Sequence, residues 1–136
     1  MLLPHGTMIA LVDGKTFELY RNAGTEAAPE LAALAAPKLD ASNHSGGSHR
    51  SSTGNHADSL VNEDAHANAA AAWLNTQVLG HQIETLVIIA PPRTLGELRK
   101  HYHKQTEAVL IKELAKDLIG QKPDVIVAAL REKNGH

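Results

Sequence analysis

One stretch limits the possible folds more than any other: Leu86-Val-Ile-Ile-Ala-Pro-Pro-Arg-Thr-Leu-Gly-Glu-Leu-Arg-Lys-His101. An apolar run of strand length stops at two prolines, and a helical pattern follows at once. A run that is apolar on every residue fits a strand covered on both faces, which requires helices above and below a sheet. Thr94 and Glu97 have capping-box spacing, so the sequence predicts a helix that opens on Thr94. Arg93 then sits at the lip where a buried strand turns into a helix. In open α/β sheets, ligands bind outside the carboxyl ends of the strands, at such a lip.

The rest of the chain supplies elements to match. Residues 8–12 read as a buried strand, and residues 15–21 place Phe17, Leu19 and Arg21 on one face by alternation. Asp13-Gly14 lies between them, a hairpin signal whose type I′ turn wants positive φ at both central positions. Residues 30–39 are Ala-rich with Leu31 and Leu34 three apart, which suits a helix, while their place in the chain suits a third strand. The strand reading is adopted. Ser, Asn, His and Gly dominate from Asp40 to Asp58, a loop expected to be mobile because it buries too little to offset its ordering entropy.

A helix follows from an Asn62 cap to a Gly80 stop, with Ala67, Ala70, Ala71, Leu74 and Val78 as its apolar stripe. After the strand at 85–90 comes the helix from Leu95, with Leu98 and Tyr102 on its inner face. Residues 106–119 fit both a helix (Leu110, Ile111, Leu114, Leu118) and an edge strand (Val109, Ile111, Glu113). Lys122-Pro123-Asp124 opens a last helix. The pattern implies a single domain over residues 1–136, a three-layer α/β fold with a mixed sheet and helices on both faces.

Aromatic residues make up only 3% of the chain, so the core must come from Leu, Ile, Val and Ala. The sequence has no cysteine, which removes disulfides, thiol nucleophiles and Cys-based zinc sites. A net charge of -2 gives no global nucleic-acid signature. No apolar run approaches the roughly 20 residues that span a bilayer, and Pro4 interrupts the short apolar start. A cytoplasmic protein with no membrane partner is expected.

Arg93, Arg99, Lys100 and Lys104 form a basic corner suited to phosphate, which guanidinium binds through two parallel hydrogen bonds. For Arg99 and Lys100 the competing reading is complementation of a helix C-terminus. Arg93 lies at the N-terminal side, where the dipole would favour an anion, and so points more to function. His5 stands at the mouth of the first strand, although a lone histidine more often serves structure. His101 and His103 share a face only on a strand. In the helix expected there no metal site forms, and His44, His49 and His56 lack supporting carboxylate or thiol spacing. Asp13 is a turn residue rather than the first acid of a two-metal nuclease, since no second acid follows at Ala90-Pro91-Pro92. No phosphate loop, dinucleotide fingerprint or Ser/His/Asp order is present, and no cofactor is implied.

Leu3-Pro4-His5-Gly6-Thr7, Asp13-Gly14, the run from Ala90 to His101 and Lys116-Asp117-Leu118 together resemble the bacterial host attachment protein family. The likeness covers nearly the whole chain and is densest at residues 90–101. That family is similar in turn to the middle domain of archaeal and eukaryotic peptide release factors and of Pelota. The resemblance implies a ribonuclease H-like fold, with a five-stranded mixed sheet in the order 3-2-1-4-5 and residues 108–115 as the fifth strand. It also implies a Gly-Gly-Gln in the loop before the first long helix. Here Gly46-Gly47 is followed by Ser48, and that departure argues against peptidyl-tRNA hydrolysis.

The favoured reading is a non-enzymatic protein that binds the ribosome or RNA, with His5, Arg93, Thr94, Arg99, Lys100 and Lys104 as candidate binding residues. The alternatives are an enzyme acting on a small anionic ligand at the same corner, and a protein-interaction module using the 40–58 loop.

Overall fold

The structure is a computed structural model and describes residues 3–37, 39 and 56–131. Strands β1 (Met8–Val12), β2 (Phe17–Asn22) and β3 (Leu31–Leu34) form an antiparallel meander. Helix α1 (His56–Leu79) crosses to β4 (Leu86–Ala90), which lies parallel to β1. Helices α2 (Pro92–Arg99) and α3 (Lys104–Val109) lead to β5 (Leu110–Ala115), parallel to β4, and α4 (Pro123–Arg131) ends the described chain. The five strands run in the order β3-β2-β1-β4-β5, as the family resemblance implied.

Alternation in the two central strands divides the core into two layers. Ala10 and Val12 of β1 and Leu86, Ile88 and Ala90 of β4 face α1 and α2, where they meet Ala67, Ala70, Ala71, Leu74, Leu95 and Leu98. Ile9, Leu11, Val87 and Ile89 face the other way, against Leu3 and the Ile126 and Leu130 of α4. The alanines let α1 lie close on the sheet. Phe17 and Trp73 fill its flank edge to face, with ring centroids 5.6 Å apart, a favoured arrangement for aromatic pairs.

Several local readings are corrected. Helix α1 begins at His56, so Asn62 is an exposed interior residue and no cap, and residues 56–58 of the expected loop are helical. Residues 40–55, with Gly46-Gly47, lie outside the described residues. At the other end the left-handed residue is His81 (φ 64), not Gly80. His81 N–H bonds Val78 O at 3.0 Å and Gln82 N–H bonds Gln77 O at 2.8 Å. This is the Schellman pattern, with histidine where glycine is usual.

The Asp13-Gly14 hairpin is not type I′, since Gly14 has no positive φ. Asp13 Oδ1 instead takes the amides of Lys15 (2.8 Å) and Thr16 (2.6 Å). Such a side-chain turn removes the need for left-handed backbone. Residues 104–109 are helical and the fifth strand begins at Leu110, so the conflict there resolves into one short element of each kind.

Candidate functional site

At the carboxyl end of β4 the two prolines decide how the helix starts. Pro91 is the cap and Pro92 the first helical residue, where a missing N–H costs nothing and the fixed φ is already helical. Leu95 N–H therefore reaches Pro91 O at 2.8 Å. Thr94 is displaced into the helix, buried and with no capping bond, so the Thr94–Glu97 capping box does not form.

Arg93 becomes the second helical residue, where the dipole disfavours a cation. Asp64 of α1 compensates, taking Arg93 Nη2 on both carboxylate oxygens at 2.9 and 3.0 Å. Arg99 gives Nε and Nη2 to Glu113 Oε1 of β5 at 3.0 and 2.7 Å. Lys100 Nζ lies 3.1 Å from Glu97 Oε1, and His101 Nε2 lies 3.5 Å from Glu97 Oε2. The Lys100 hydrogen bond, with smaller help from His101 and against partial burial, holds the Glu97 carboxyl below the usual range. Lys104 opens α3, exposed and without an ion-pair partner among the described residues. Three of the four cations expected at the corner are thus matched one to one by carboxylates distant in the chain or one helical turn away.

Residues 101–103 are not helical. His103 caps α3, its Nδ1 accepting Gln105 N–H at 3.0 Å. That bond requires the proton to sit on Nε2 when the ring is neutral. Asn75 of α1 clamps this turn by donating Nδ2–H to His101 O (2.9 Å). Its Oδ1 accepts His103 N–H (2.9 Å) and Thr106 Oγ1–H (2.7 Å). Each ring thus has its own partner, and among the described residues no group of three metal-ligating side chains converges.

The Asp13 turn lies at this same end, beyond the carboxyl end of β1. His66 of α1 donates Nδ1–H to Asp13 O at 3.0 Å, because a carbonyl only accepts. A Cβ on Gly14 would fall 2.6 Å from Glu63 Cγ, so the turn closes tightly on α1.

His5 is not part of this corner. It precedes β1, and since β1 and β4 run parallel it lies at the opposite end of the sheet. A strand of this length, at roughly 3.3 Å per residue, separates the two ends by about 17 Å. The His5 Nδ1 bonds Gly24 O at 2.7 Å. There a cavity of about 320 Å³ opens, lined by His5, Gly6, Arg21, His81, Glu84 and Thr85 among others. Of these residues, sequence reasoning singled out only His5. Arg21 carried a signal, since it continues the row of Phe17 and Leu19 but is exposed where they are buried. His81 carried none, because Gly80 beside it offered the better match to a helix stop.

No curated protein matches the chain. The family model described as bacterial archaeo-eukaryotic release factor family 12 matches residues 6–130. The match spans the sheet, the Arg93 corner and all of the cavity's lining but His5. The order β3-β2-β1-β4-β5 that the release-factor likeness implied is the order found. On that extent of match, the chain belongs to bacterial archaeo-eukaryotic release factor family 12.

Proposed function

We propose that this chain is a non-enzymatic protein of release-factor type that acts in the cytoplasm and binds the ribosome or RNA through the Arg93 corner. The observation that carries the reading is the family match over residues 6–130. The lack of a glutamine after Gly46-Gly47 supports binding without peptidyl-tRNA hydrolysis. Attachment to host cells, which the wider resemblance names, then follows indirectly from a role in translation.

The ion pairs at the corner are compatible with this reading. Arg93 and Asp64 side chains are 53% and 35% exposed. Such pairs contribute roughly 0–1 kcal/mol, so a phosphate can displace the carboxylate at little cost. Guanidinium–phosphate bonds are charge-assisted and stronger than neutral ones. Thr94, the next residue of the helix, is buried and so is not exposed for direct contact.

Cosedimentation with ribosomes at increasing salt is the direct test. If about three phosphates are contacted, affinity falls roughly forty-fold between about 50 and about 200 mM salt. Arg93→Ala lowers both the affinity and the salt slope by about one contact. Asp64→Asn frees the guanidinium and raises affinity. Binding that is insensitive to salt, or unchanged by both substitutions, refutes the assignment.

A further inference from the structure

The cavity at the amino ends of β1 and β4 differs from the corner in one respect. Arg93 and Arg99 are held by carboxylates, whereas Arg21 has no ion-pair partner among the described residues. Its guanidinium lies over Gly6, with Nη2 3.8 Å from where a Cβ would stand. Gly6 itself has φ +86, a conformation that glycine adopts without penalty. A close, unpaired guanidinium beside bare backbone leaves room for a ligand against it.

Two imidazoles complete the wall. The His5 ring is oriented by its Nδ1–H bond to Gly24 O, so its Nε2 is the nitrogen available for other contacts. Gly24 is itself fixed, since a Cβ there would meet Ala28 O and Glu30 N. His81 holds a left-handed backbone (φ 64). That conformation costs a non-glycine residue about 1 kcal/mol or more. A glycine would serve the helix end better, so the side chain that lines the cavity is what the position gains. The terminal carbonyls of α1 do not oppose an anion strongly, because Thr76, Gln77 and Val78 each accept an amide of the turn. Glu84 is the one acid in the lining.

We infer that this cavity binds a small phosphomonoester, with Arg21 pairing the phosphate and His5 and His81 as hydrogen-bond partners. A phosphate group suits the imidazoles in either state, since it offers oxygens to an N–H and, when protonated, a hydroxyl to a lone pair. At about 320 Å³ the space is at the small end of ligand pockets and suits a phosphosugar rather than a dinucleotide. This site is separate from the Arg93 corner and does not depend on ribosome or RNA binding there.

The test uses the full chain with inorganic phosphate and ribose 5-phosphate as probes, followed by calorimetry and by NMR of the histidine ring protons. Ribose and potassium chloride at matched ionic strength are the controls. The expected result is saturable binding of ribose 5-phosphate with a Kd at or below about 1 mM. Inorganic phosphate should bind more weakly, and the shifts should be confined to His5 and His81. Arg21→Gln, at an exposed position, should weaken binding roughly 10- to 100-fold. His81→Asn retains tolerance for the left-handed backbone and tests the ring itself, with a smaller loss expected. Absence of saturation, binding equal to that of ribose or chloride, or an unchanged Kd in a folded Arg21→Gln variant overturns the proposal.

Discussion

Replacing Asn22 with alanine should destabilise the protein more than any surface change, because this one side chain joins three segments. Asn22 is fully buried at the end of β2. Its Nδ2 donates to Leu3 O at 2.9 Å, with longer contacts to Thr25 O (3.3 Å) and Pro4 O (3.4 Å). Its Oδ1 accepts Gly24 N–H at 2.9 Å and Glu30 N–H at 3.0 Å. Truncation strands a buried carbonyl, at about 1–3 kcal/mol, and two part-buried amides that water can reach, at about 0.5–1 kcal/mol each. The sum is about 3 kcal/mol, a large fraction of the roughly 5–15 kcal/mol typical of a whole domain. Urea unfolding should show a lower midpoint with an unchanged slope. Asn22→Asp keeps the oxygen that accepts both amides but turns the donor into a second acceptor facing carbonyls. Its carboxyl pKa would rise in the folded state, so the variant should be most stable at low pH and weaken as pH rises through that value. A loss below about 1 kcal/mol for Asn22→Ala, or a pH-independent Asn22→Asp, would refute this account of the junction.

Three further outcomes follow from the titrating groups. The Tyr102 hydroxyl is buried and has no hydrogen-bond partner among the described residues. Tyr102→Phe should therefore be neutral or stabilising by about 1 kcal/mol, and a clear loss in urea unfolding would show a partner. Burial, reinforced by Glu113 and opposed by Arg99, pushes the Tyr102 pKa well above the ordinary tyrosine range, and burial with Glu18 raises Tyr20. Absorbance titration of the native protein should show both tyrosines ionising above about pH 10 and moving down on unfolding, with stability lost as pH climbs past that point. Glu97 has the opposite sign: its carboxyl is held low by Lys100, so its contribution is present above about pH 4 and lost as pH falls. Glu97→Gln should flatten the acid limb of the thermal-melt profile, and identical limbs would exclude the linkage.

The layout of the sheet was legible because its strongest signals are local. Val87 and Ile89 on one face and Ile88 and Ala90 on the other make β4 apolar throughout, and the α1 stripe from Ala67 to Val78 is buried where spacing placed it. What failed were caps, where residues with equal local claims compete. Thr94 and Glu97 had the right spacing, but Pro92 suits the first helical position better, and the helix starts three residues early. His103 caps α3 through an imidazole nitrogen, a role that no Ser, Thr, Asn or Asp pattern announces. Residues 106–119 were split because helical spacing describes isolated chain, while Leu110–Ala115 gains a parallel ladder along β4, with a register shift that skips Ile111. The corner's charge was misjudged for a similar reason. Asp64 and Glu113 are 29 and 14 residues from Arg93 and Arg99, and only the folded topology brings them together.

Parallel β1 and β4 at the centre of the sheet sort the chain by position. Whatever follows either strand collects at one end, as Asp13 and Arg93 do, and whatever precedes them collects at the other, as His5 and Thr85 do. Helix α1 runs the length between, from His56 to Leu79. At about 1.5 Å per residue it spans roughly 36 Å. Near its start Asp64 holds Arg93, and just past its end His81 lines the cavity. The two surfaces therefore share a scaffold without sharing a side chain, and substitutions this far apart with no common partner act additively. Loss of phosphate binding in Arg21→Gln should leave cosedimentation intact, and Arg93→Ala should leave the cavity intact. Loss of cosedimentation in Arg21→Gln, or of phosphate binding in Arg93→Ala, would refute that independence and show that α1, which touches both surfaces, couples them.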